Sequence, residues 1–525
     1  MSQIPTIEQQ KDTARAGRGG LALTLGKLFF IVAGLVQQVA LKAILGLSGY
    51  GALSTTLSIA SIAYNPMVQA GIQGMSRETA GLSDAERPVV ARHLLKIHAV
   101  VAAVLAVLFF FLAPVLARVL GAPHIAAGVR ALSVVLFLYG LYAPLVGLLN
   151  GQKRFLAQAG LDAFAAAVRT VGLLGGAYFG VRWAATSGPS ESRIDAAALP
   201  VLATCLGFVG SATIVVLVAA RITGTGKTGV AQPGETQKYE RILRHIWAGQ
   251  LLLNLLFQAD ALLLRRFASD AAHLAQLPEA AADPYVGAFR ATQLFCFLPF
   301  QLLTSVTFVL FPLLAQAKAR AQTVEVARLV ERGLRLSTLV IGVLISVLLS
   351  RADGLLTLVF GAETAALASS AMRILAPGMG AFALLGVLTA VLNSLGQERL
   401  SLVLFTVATL SVTALCFVLV HGQSLSQAML NRTALATSLA MLTTTLLALV
   451  LVHKTIGCSL APSTACRTIL AVAASAWITA QLLPPGLLWT LVAALVTPTL
   501  YLVVQLLSRE LKAADLHGLL ALGRR

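Results

Sequence analysis

The sequence predicts an all-α polytopic membrane protein with about fourteen transmembrane helices, built as two pseudo-symmetric six-helix lobes plus two C-terminal helices. Of its 525 residues, 58% are hydrophobic and only 11% are charged. A soluble globular protein carries about 25% charged residues, because its surface must face water. This chain has too few charges to cover its apolar residues, so lipid must be the solvent for much of its surface.

Individual spans follow from the thickness of the bilayer. A transmembrane helix needs about 20 mostly apolar residues, because the hydrocarbon core is about 30 Å thick and a helix rises about 1.5 Å per residue. Glycine, proline or charged residues separate such stretches, as at Leu483–Gly486. The predicted spans are 21–47, 50–75, 95–119, 130–149, 155–181, 197–220, 242–267, 285–315, 333–350, 371–395, 400–421, 433–453, 466–483 and 487–508.

The orientation of these spans follows from the basic residues. With the N-terminus inside, predicted cytoplasmic segments hold roughly 26 Lys and Arg and outside loops roughly 10, which favours a cytoplasmic N-terminus and C-terminus. The same asymmetry explains the net charge of +18 without nucleic acid as a partner. The predicted organisation is a cytoplasmic tail at 1–20, an N-lobe at 21–220, a basic cytoplasmic linker at 221–241, a C-lobe at 242–453, two additional helices at 454–508 and a cytoplasmic tail at 509–525.

An internal repeat underlies the two-lobe prediction. Ala113–Gly121 precedes a span that ends at Leu149–Arg154, and Asp353–Gly361 precedes a span that ends at Leu392–Arg399. The offset of about 240 residues corresponds to six helices. An even number of spans preserves chain direction, so the sequence predicts parallel repeats related by an axis along the membrane normal.

Several stretches of the sequence carry the landmarks of a known family. They are Leu45–Gly51, Ala70–Arg77, Asp260–Arg266, Tyr285–Arg290 and Leu355–Arg399. Over about residues 20–455 they resemble the polysaccharide-exporter branch, which includes the Wzx-like oligosaccharide flippases, of the multidrug/oligosaccharidyl-lipid/polysaccharide (MOP) flippase superfamily. One departure is the Ala-rich stretch at 270–282, which lengthens a predicted outside loop.

This resemblance implies a transporter. Members of the branch move lipid-linked oligosaccharides from the inner to the outer leaflet of the bacterial cytoplasmic membrane, for O-antigen, capsule or exopolysaccharide. Their two lobes alternately open a central cavity to each side. Their substrates hang on undecaprenyl pyrophosphate, so the translocated part is anionic. The implied partners are the lipid-linked oligosaccharide, membrane lipids, and the polysaccharide polymerase and chain-length machinery, with no cofactor beyond H⁺ or Na⁺ as coupling ion.

The charged residues inside spans are the candidate substrate-binding groups. A charge at this depth costs about 2.5–3.5 kcal/mol on insertion scales, so it normally faces a wet cavity or a partner. Arg290, Lys42, Lys27 and Arg169 suit a pyrophosphate, because a guanidinium offers a bidentate fork and an ammonium a compact charge. The alternative for the two lysines, about 22 Å apart along a helix, is that they snorkel to opposite interfaces.

Two acidic residues inside spans are candidates for ion coupling. Asp162 lies seven residues before Arg169, on the same helical face. Asp260 and Arg290 lie on consecutive spans of the second lobe. Either these two side chains pair, or Arg290 faces the cavity while Asp260 takes or releases a proton or a sodium ion.

Other functions are less compatible with the sequence. It contains no HExxH motif, nucleophile elbow, metal-ligand cluster or CxxC pair, so an enzyme is not predicted. A lipid II flippase of peptidoglycan synthesis, which also has fourteen helices, remains a close alternative. A cation-coupled multidrug antiporter should have a more acidic cavity. A membrane polysaccharide polymerase usually needs a large outside loop or a carboxylate cluster.

Overall fold

The computed structural model describes residues 7–83, 85–186, 193–224 and 235–511, and the side chains from Val32 onward with few gaps. In these ranges the regular structure consists of α-helices and two short 3₁₀ turns, without a strand. The helices are α1 (Ile7–Thr79), α2 (Arg87–Val119), α3 (Ala126–Gly151), α4 (Phe155–Thr186), α5 (Arg193–Thr223), α6 (Glu235–Leu274), α7 (Asp283–Cys296), α8 (Leu298–Ala319), α9 (Thr323–Ser350), α10 (Ala352–Phe360), α11 (Ala362–Ser394), α12 (Glu398–Leu419), α13 (Gln427–Ile456), α14 (Pro462–Leu482) and α15 (Leu487–Leu507).

Helix α1 contains the first two predicted spans. Its part from Val32 to Thr79 has 48 residues, about 72 Å of helix, which is more than twice the hydrocarbon thickness. The backbone breaks at Gly46, where φ is +71° and ψ is 178°. Glycine adopts a positive φ without the steric penalty of a Cβ. Thirteen helices in the described part of the chain are long and apolar enough to cross a membrane, and the broken helix α1 covers both of the first two predicted spans.

The predicted single helix at 285–315 is wrong. Two helices, α7 and α8, occupy this stretch and meet at Phe297. Pro299 lies in the first turn of α8. Its ring has no N–H to donate and fits the start of a helix, so α8 begins anew there.

Two predicted connections are also partly helical. The prediction of a loop at 267–284 is wrong for its first half, where α6 continues to Leu274. The Ala-rich stretch then ends in a 3₁₀ turn at Glu279–Ala282. The segment before the tenth predicted span forms α10, which ends at Gly361 with φ +85°. The sequence prediction therefore errs more in where spans begin and end than in how many spans there are.

The chain divides into two compact units. Unit 1 contains residues up to Gln258 together with Gln276–Pro284, and unit 2 contains Ala259–Ala275 together with the chain from Tyr285. Helix α6 contributes to both units. Of the predicted linker at 221–241, residues 225–234 lie outside the described ranges.

Within unit 1, close packing of α4 and α5 depends on glycines. The spacing of Gly172, Gly176 and Gly180 predicts a close helix contact, and the structure places all three against α5. A Cβ at Gly172 would collide with the carbonyl oxygen of Gly207, and one at Gly176 with that of Ala203. Small residues of this kind let transmembrane backbones approach without a hydrophobic driving force.

Within unit 2, the last two helices are complete and pack against α9. Each of α14 and α15 has 21 residues, about 31 Å of helix, which is enough to cross the hydrocarbon core. The hydroxyl groups of Ser350 and Thr497 lie 3.2 Å apart, and Thr497 donates to Thr479 at 3.1 Å. Polar contacts therefore connect α9, α15 and α14 inside the unit.

A carboxylate just after α15 links α9 and α14 through hydrogen bonds at one end of these helices. Glu510 is 5% exposed and accepts hydrogen bonds from Arg335 of α9 at 3.0 Å, from Arg467 of α14 at 3.0 Å and from Thr464 at 2.8 Å. Burial raises the pKa of Glu510, but the hydrogen bonds from Thr464, Arg467 and Arg335 outweigh this effect, so the pKa lies below its ordinary value.

Replacing this carboxylate should destabilise unit 2 in a pH-dependent way. Glu510→Gln should lower the free energy of unfolding by about 1–3 kcal/mol at neutral pH, because two arginines lose a charged acceptor. A depressed carboxyl pKa contributes stability above the unfolded pKa of about 4.3, and this contribution is lost as the pH falls. Thermal unfolding in detergent should therefore show a difference at pH 7 that shrinks below pH ~4.

The control is Glu325→Gln, which removes an exposed carboxylate 3.4 Å from Arg328. An exposed pair of this kind contributes about 0–1 kcal/mol, so this variant should unfold like the parent. Equal destabilisation by both substitutions would contradict an anchoring role for Glu510.

Candidate functional site

A buried carboxylate lies at the centre of a polar cluster in unit 2. Asp260, on α6, is 3% exposed. The amide nitrogen of Gln293, on α7, donates to its Oδ1 at 2.9 Å and to its Oδ2 at 3.0 Å. The Thr437 hydroxyl, on α13, donates to Oδ2 at 3.1 Å, and the backbone N–H of Ala261 donates to Oδ1 at 2.8 Å. Three helices of unit 2 therefore supply this one site.

Arg290 joins the cluster through a neutral side chain. It is part-exposed, and its guanidinium donates to the Gln293 Oε1 at 3.0 Å. The two residues are three positions apart on α7, so they share a helical face. Gln293 thus accepts from Arg290 and donates to Asp260, and the two predicted charged residues are brought together through this amide.

The donors around Asp260 determine what the site can do. Hydrogen bonds from Ala261, Gln293 and Thr437 supply an ionised carboxylate with the polar contacts that a bilayer interior otherwise lacks. A cation that binds to either oxygen must displace one of these donors. Because the two side-chain donors, Gln293 and Thr437, come from α7 and α13, displacing either one would change how these helices hold α6.

The second charged cluster lies in unit 1. Arg169 and Thr170, on α4, both donate to the Gln37 Oε1 of α1, at 3.4 Å and 3.3 Å. Asp162 accepts from the Tyr142 hydroxyl of α3 at 3.3 Å. The predicted common face of Asp162 and Arg169 therefore contacts α1 and α3, through different partners.

The structure says less about the two candidate lysines. Lys42 is part-exposed on α1, four residues before the break at Gly46. The side chain of Lys27 lies outside the described residues. Substrate binding or snorkelling therefore stays a prediction for both lysines.

Some of the polar partners were not identified from the sequence. Gln293 has a weak signal, because it lies one turn from Arg290 on the same span. Thr437 has none that distinguishes it from other span threonines, such as Thr433, whose hydroxyl donates to the Met429 carbonyl of its own helix. Over the described residues, no three His, Cys, Asp or Glu side chains lie together as metal ligands.

Comparison with known sequences identifies one family. The family described as polysaccharide biosynthesis protein matches residues 16–318, which is more than half of the chain. None of the curated protein sequences matches this chain. The family match confirms the predicted resemblance to proteins of polysaccharide biosynthesis, and this chain belongs to that family.

Comparison with solved structures identifies the fold. The lipid II flippase MurJ in an inward closed conformation is similar with a TM-score of 0.73 at 12% identity, covering 93% of this chain and 99% of that one. An inward-facing multidrug resistance MATE family transporter has a TM-score of 0.63 at 14% identity, covering 82% of this chain and 94% of that one. A MOP superfamily transporter from Pyrococcus furiosus has a TM-score of 0.59 at 13% identity, covering 84% of this chain and 95% of that one. At identities this low, the structural similarity establishes only the polytopic helical fold.

Removing the charge of Asp260 should impair transport. We expect Asp260→Asn to weaken the coupling between ion binding and substrate binding roughly 5- to 150-fold, the range of a typical coupling free energy, and so to slow transport. Transport activity in vesicles, with and without a Na⁺ or pH gradient, measures this effect. The parent should respond to one gradient and the variant to neither.

The matched control is Asp353→Asn, since Asp353 is half-exposed and pairs with Arg373 at 3.0 Å on the surface of unit 2. This control should keep both the rate and the gradient dependence. An Asp260→Asn protein with the parent's rate and gradient dependence would exclude Asp260 as the coupling group.

Proposed function

Because this chain belongs to the polysaccharide biosynthesis protein family, we propose that it flips an undecaprenyl-pyrophosphate-linked oligosaccharide from the inner to the outer leaflet of the bacterial cytoplasmic membrane. The family match over residues 16–318 is the observation that carries this proposal. Transport proceeds by alternating access, and the product enters O-antigen, capsule or exopolysaccharide assembly.

The basic residues inside the spans support an anionic substrate. Arg290 in unit 2, and Arg169 and Lys42 in unit 1, are all part-exposed rather than fully buried. An arginine in a span is expensive unless it meets water or an anion, and its planar fork matches phosphate oxygens. We assign the pyrophosphate to Arg290 first, because this residue is part-exposed and its guanidinium contacts the Asp260 cluster through Gln293.

Asp260 supplies the coupling in this proposal. Its carboxylate exchanges the hydrogen bond from Thr437 or Gln293 for a proton or a sodium ion. Neutralising the carboxylate also changes the surroundings of Arg290 through Gln293, so ion binding and pyrophosphate release are linked. Asp162, which accepts from Tyr142 in unit 1, is the second candidate for this role.

The orientation and setting follow from the same function. Both termini lie in the cytoplasm, as the distribution of Lys and Arg favours. The flipped oligosaccharide is then a substrate for a polysaccharide polymerase and its chain-length machinery in the outer leaflet. Contacts with those proteins and with membrane lipids belong to the proposal, and nucleic acid has no part in it.

A lipid II flippase is the second candidate. Its support is the likeness of fold to a lipid II flippase over nearly the full length of both chains. Lipid II also carries a saccharide on a prenyl pyrophosphate, so the basic residues fit either substrate. A multidrug antiporter has a similar fold, but its cationic substrates would meet arginines in the spans of both units.

Deleting the protein should trap lipid-linked repeat units in the inner leaflet and abolish surface polysaccharide. Restoring it with Arg290→Glu should leave surface polysaccharide at least about tenfold below the parent, because a carboxylate repels the pyrophosphate. Arg290→Lys, which keeps the charge without the fork, should be intermediate. Surface-glycan blots and leaflet-specific labelling measure both effects.

Arg328→Glu is the matched control, because Arg328 is 57% exposed near the start of α9. It should support normal display at an equal protein level. Unpolymerised units in the outer leaflet of the deletion strain would indicate a polymerase instead. Lipid II trapped in the inner leaflet, with intact surface polysaccharide, would favour the lipid II candidate.

A further inference from the structure

Four aromatic rings form one cluster in unit 1, which we name the tyrosine cluster. Tyr139 of α3 lies edge-on to Tyr64 of α1, with ring centroids 5.4 Å apart, and edge-on to Phe208 of α5 at 5.7 Å. Tyr142 lies 6.1 Å from Tyr139 with the ring planes tilted by 38°. Three of the eight tyrosines of the chain thus meet in one place.

The cluster lies near the middle of the spans. Tyr139 is thirteen residues from the start of α3, about 20 Å along the helix, and Phe208 is fifteen from the start of α5. Rings anchored at a membrane interface would lie near span ends, where tyrosine is usually enriched. Tyrosine hydroxyls at mid-span need another explanation.

Charged groups surround these rings. Asp162 accepts from the Tyr142 hydroxyl at 3.3 Å. The Arg169 guanidinium lies 6.0 Å from the centroid of the Phe208 ring and also interacts with Tyr139. The cluster therefore combines flat apolar faces with a carboxylate and a guanidinium, which together can accept and donate hydrogen bonds.

Helix α4 turns its two charges away from lipid. Phe164, Val171 and Tyr178 are 37%, 71% and 46% exposed and form an outward apolar stripe with a seven-residue spacing. Asp162 and Arg169 lie about 140–180° around the helix from that stripe. The charges and the rings thus share the side of α4 that packs towards α1 and α3.

Packing alone does not account for this composition. Phe208 and Tyr142 are 1% and 8% exposed, so they form the buried base of the cluster, but Tyr64 and Tyr139 are part-exposed. A purely apolar contact would be filled by phenylalanine or leucine, without hydroxyl groups and charges to satisfy. Part-exposed rings with adjacent charges instead resemble the lining of a small-molecule site.

We propose that the tyrosine cluster is the subsite for the saccharide part of the translocated lipid. A pyranose ring has a face of C–H bonds and a rim of hydroxyl groups. The part-exposed apolar rings of Tyr64 and Tyr139 suit the C–H face, and the charged groups of Asp162 and Arg169 suit the hydroxyl rim. This assignment rests on the proposed function and refines it, because the sugar is recognised in unit 1 separately from the charge at Arg290.

The test compares two probes on the full-length protein in nanodiscs. One probe is undecaprenyl pyrophosphate, and the other is the same lipid carrying an N-acetylhexosamine. Tyr64→Leu and Tyr139→Leu should each weaken binding of the glycosylated probe roughly 2- to 10-fold, the value of one aromatic contact, and leave the sugar-free probe unchanged. Arg290→Glu should weaken both probes.

Tyr178→Leu, on the lipid-facing stripe, is the matched control and should change neither probe. Tyr139→Phe keeps the ring and should retain more saccharide binding than Tyr139→Leu, at an equal melting temperature. If the tyrosine variants weaken both probes equally, or if the sugar adds nothing to binding by the parent, the saccharide subsite is refuted while the flippase proposal stands. If the parent binds neither probe, the proposed function itself fails.

Discussion

The bilayer interior supplies no water, so each charge inside a span must be compensated by neighbouring polar groups, by bound water or by a ligand. This constraint explains why ionisable side chains are so few here and why they are clustered. Asp260 is nearly inaccessible, yet three donor groups contact its two oxygens. Each such cluster connects several helices, since one helix alone cannot provide enough donors.

The two units meet this constraint in different ways. In unit 2 a fully buried carboxylate is compensated by neutral donors, with Arg290 one amide away. In unit 1 the charges of Asp162 and Arg169 lie beside aromatic rings and the Gln37 amide. The first arrangement suits exchange of a small cation, and the second suits a large, polar and partly flat ligand. Under the proposed function, the first site would serve coupling and the second would recognise the saccharide.

Hydropathy predicts most of the fold because the bilayer imposes a single length scale on every span. It predicts about fourteen spans where the described residues have thirteen candidates, and it predicts the two C-terminal helices. It joins α7 and α8, since both are apolar and only Pro299 signals the break at Phe297. It also treats the amphipathic end of α6, up to Leu274, as a loop. Ends of helices depend on tertiary contacts that a window of composition does not record.

The charged members of the candidate sites were predictable because a charge in a span is rare. Their neutral partners were not. Glutamine and threonine occur along many spans, and a threonine hydroxyl usually donates to its own helix, as Thr433 does. Only the packing of α13 against α6 distinguishes Thr437, whose hydroxyl donates to Asp260. The aromatic cluster could not be predicted from the sequence either, since Tyr64 and Phe208 come from helices far apart in the chain.

The most direct measurement is lipid translocation by the purified protein in liposomes. An undecaprenyl-pyrophosphate-linked oligosaccharide is placed in the inner leaflet, and a membrane-impermeant glycosidase outside reports its arrival in the outer leaflet. Flippase function predicts glycan cleavage that depends on the protein and on an ion gradient. No cleavage above protein-free liposomes, with export of a cationic dye by the same vesicles, would contradict it and indicate an antiporter.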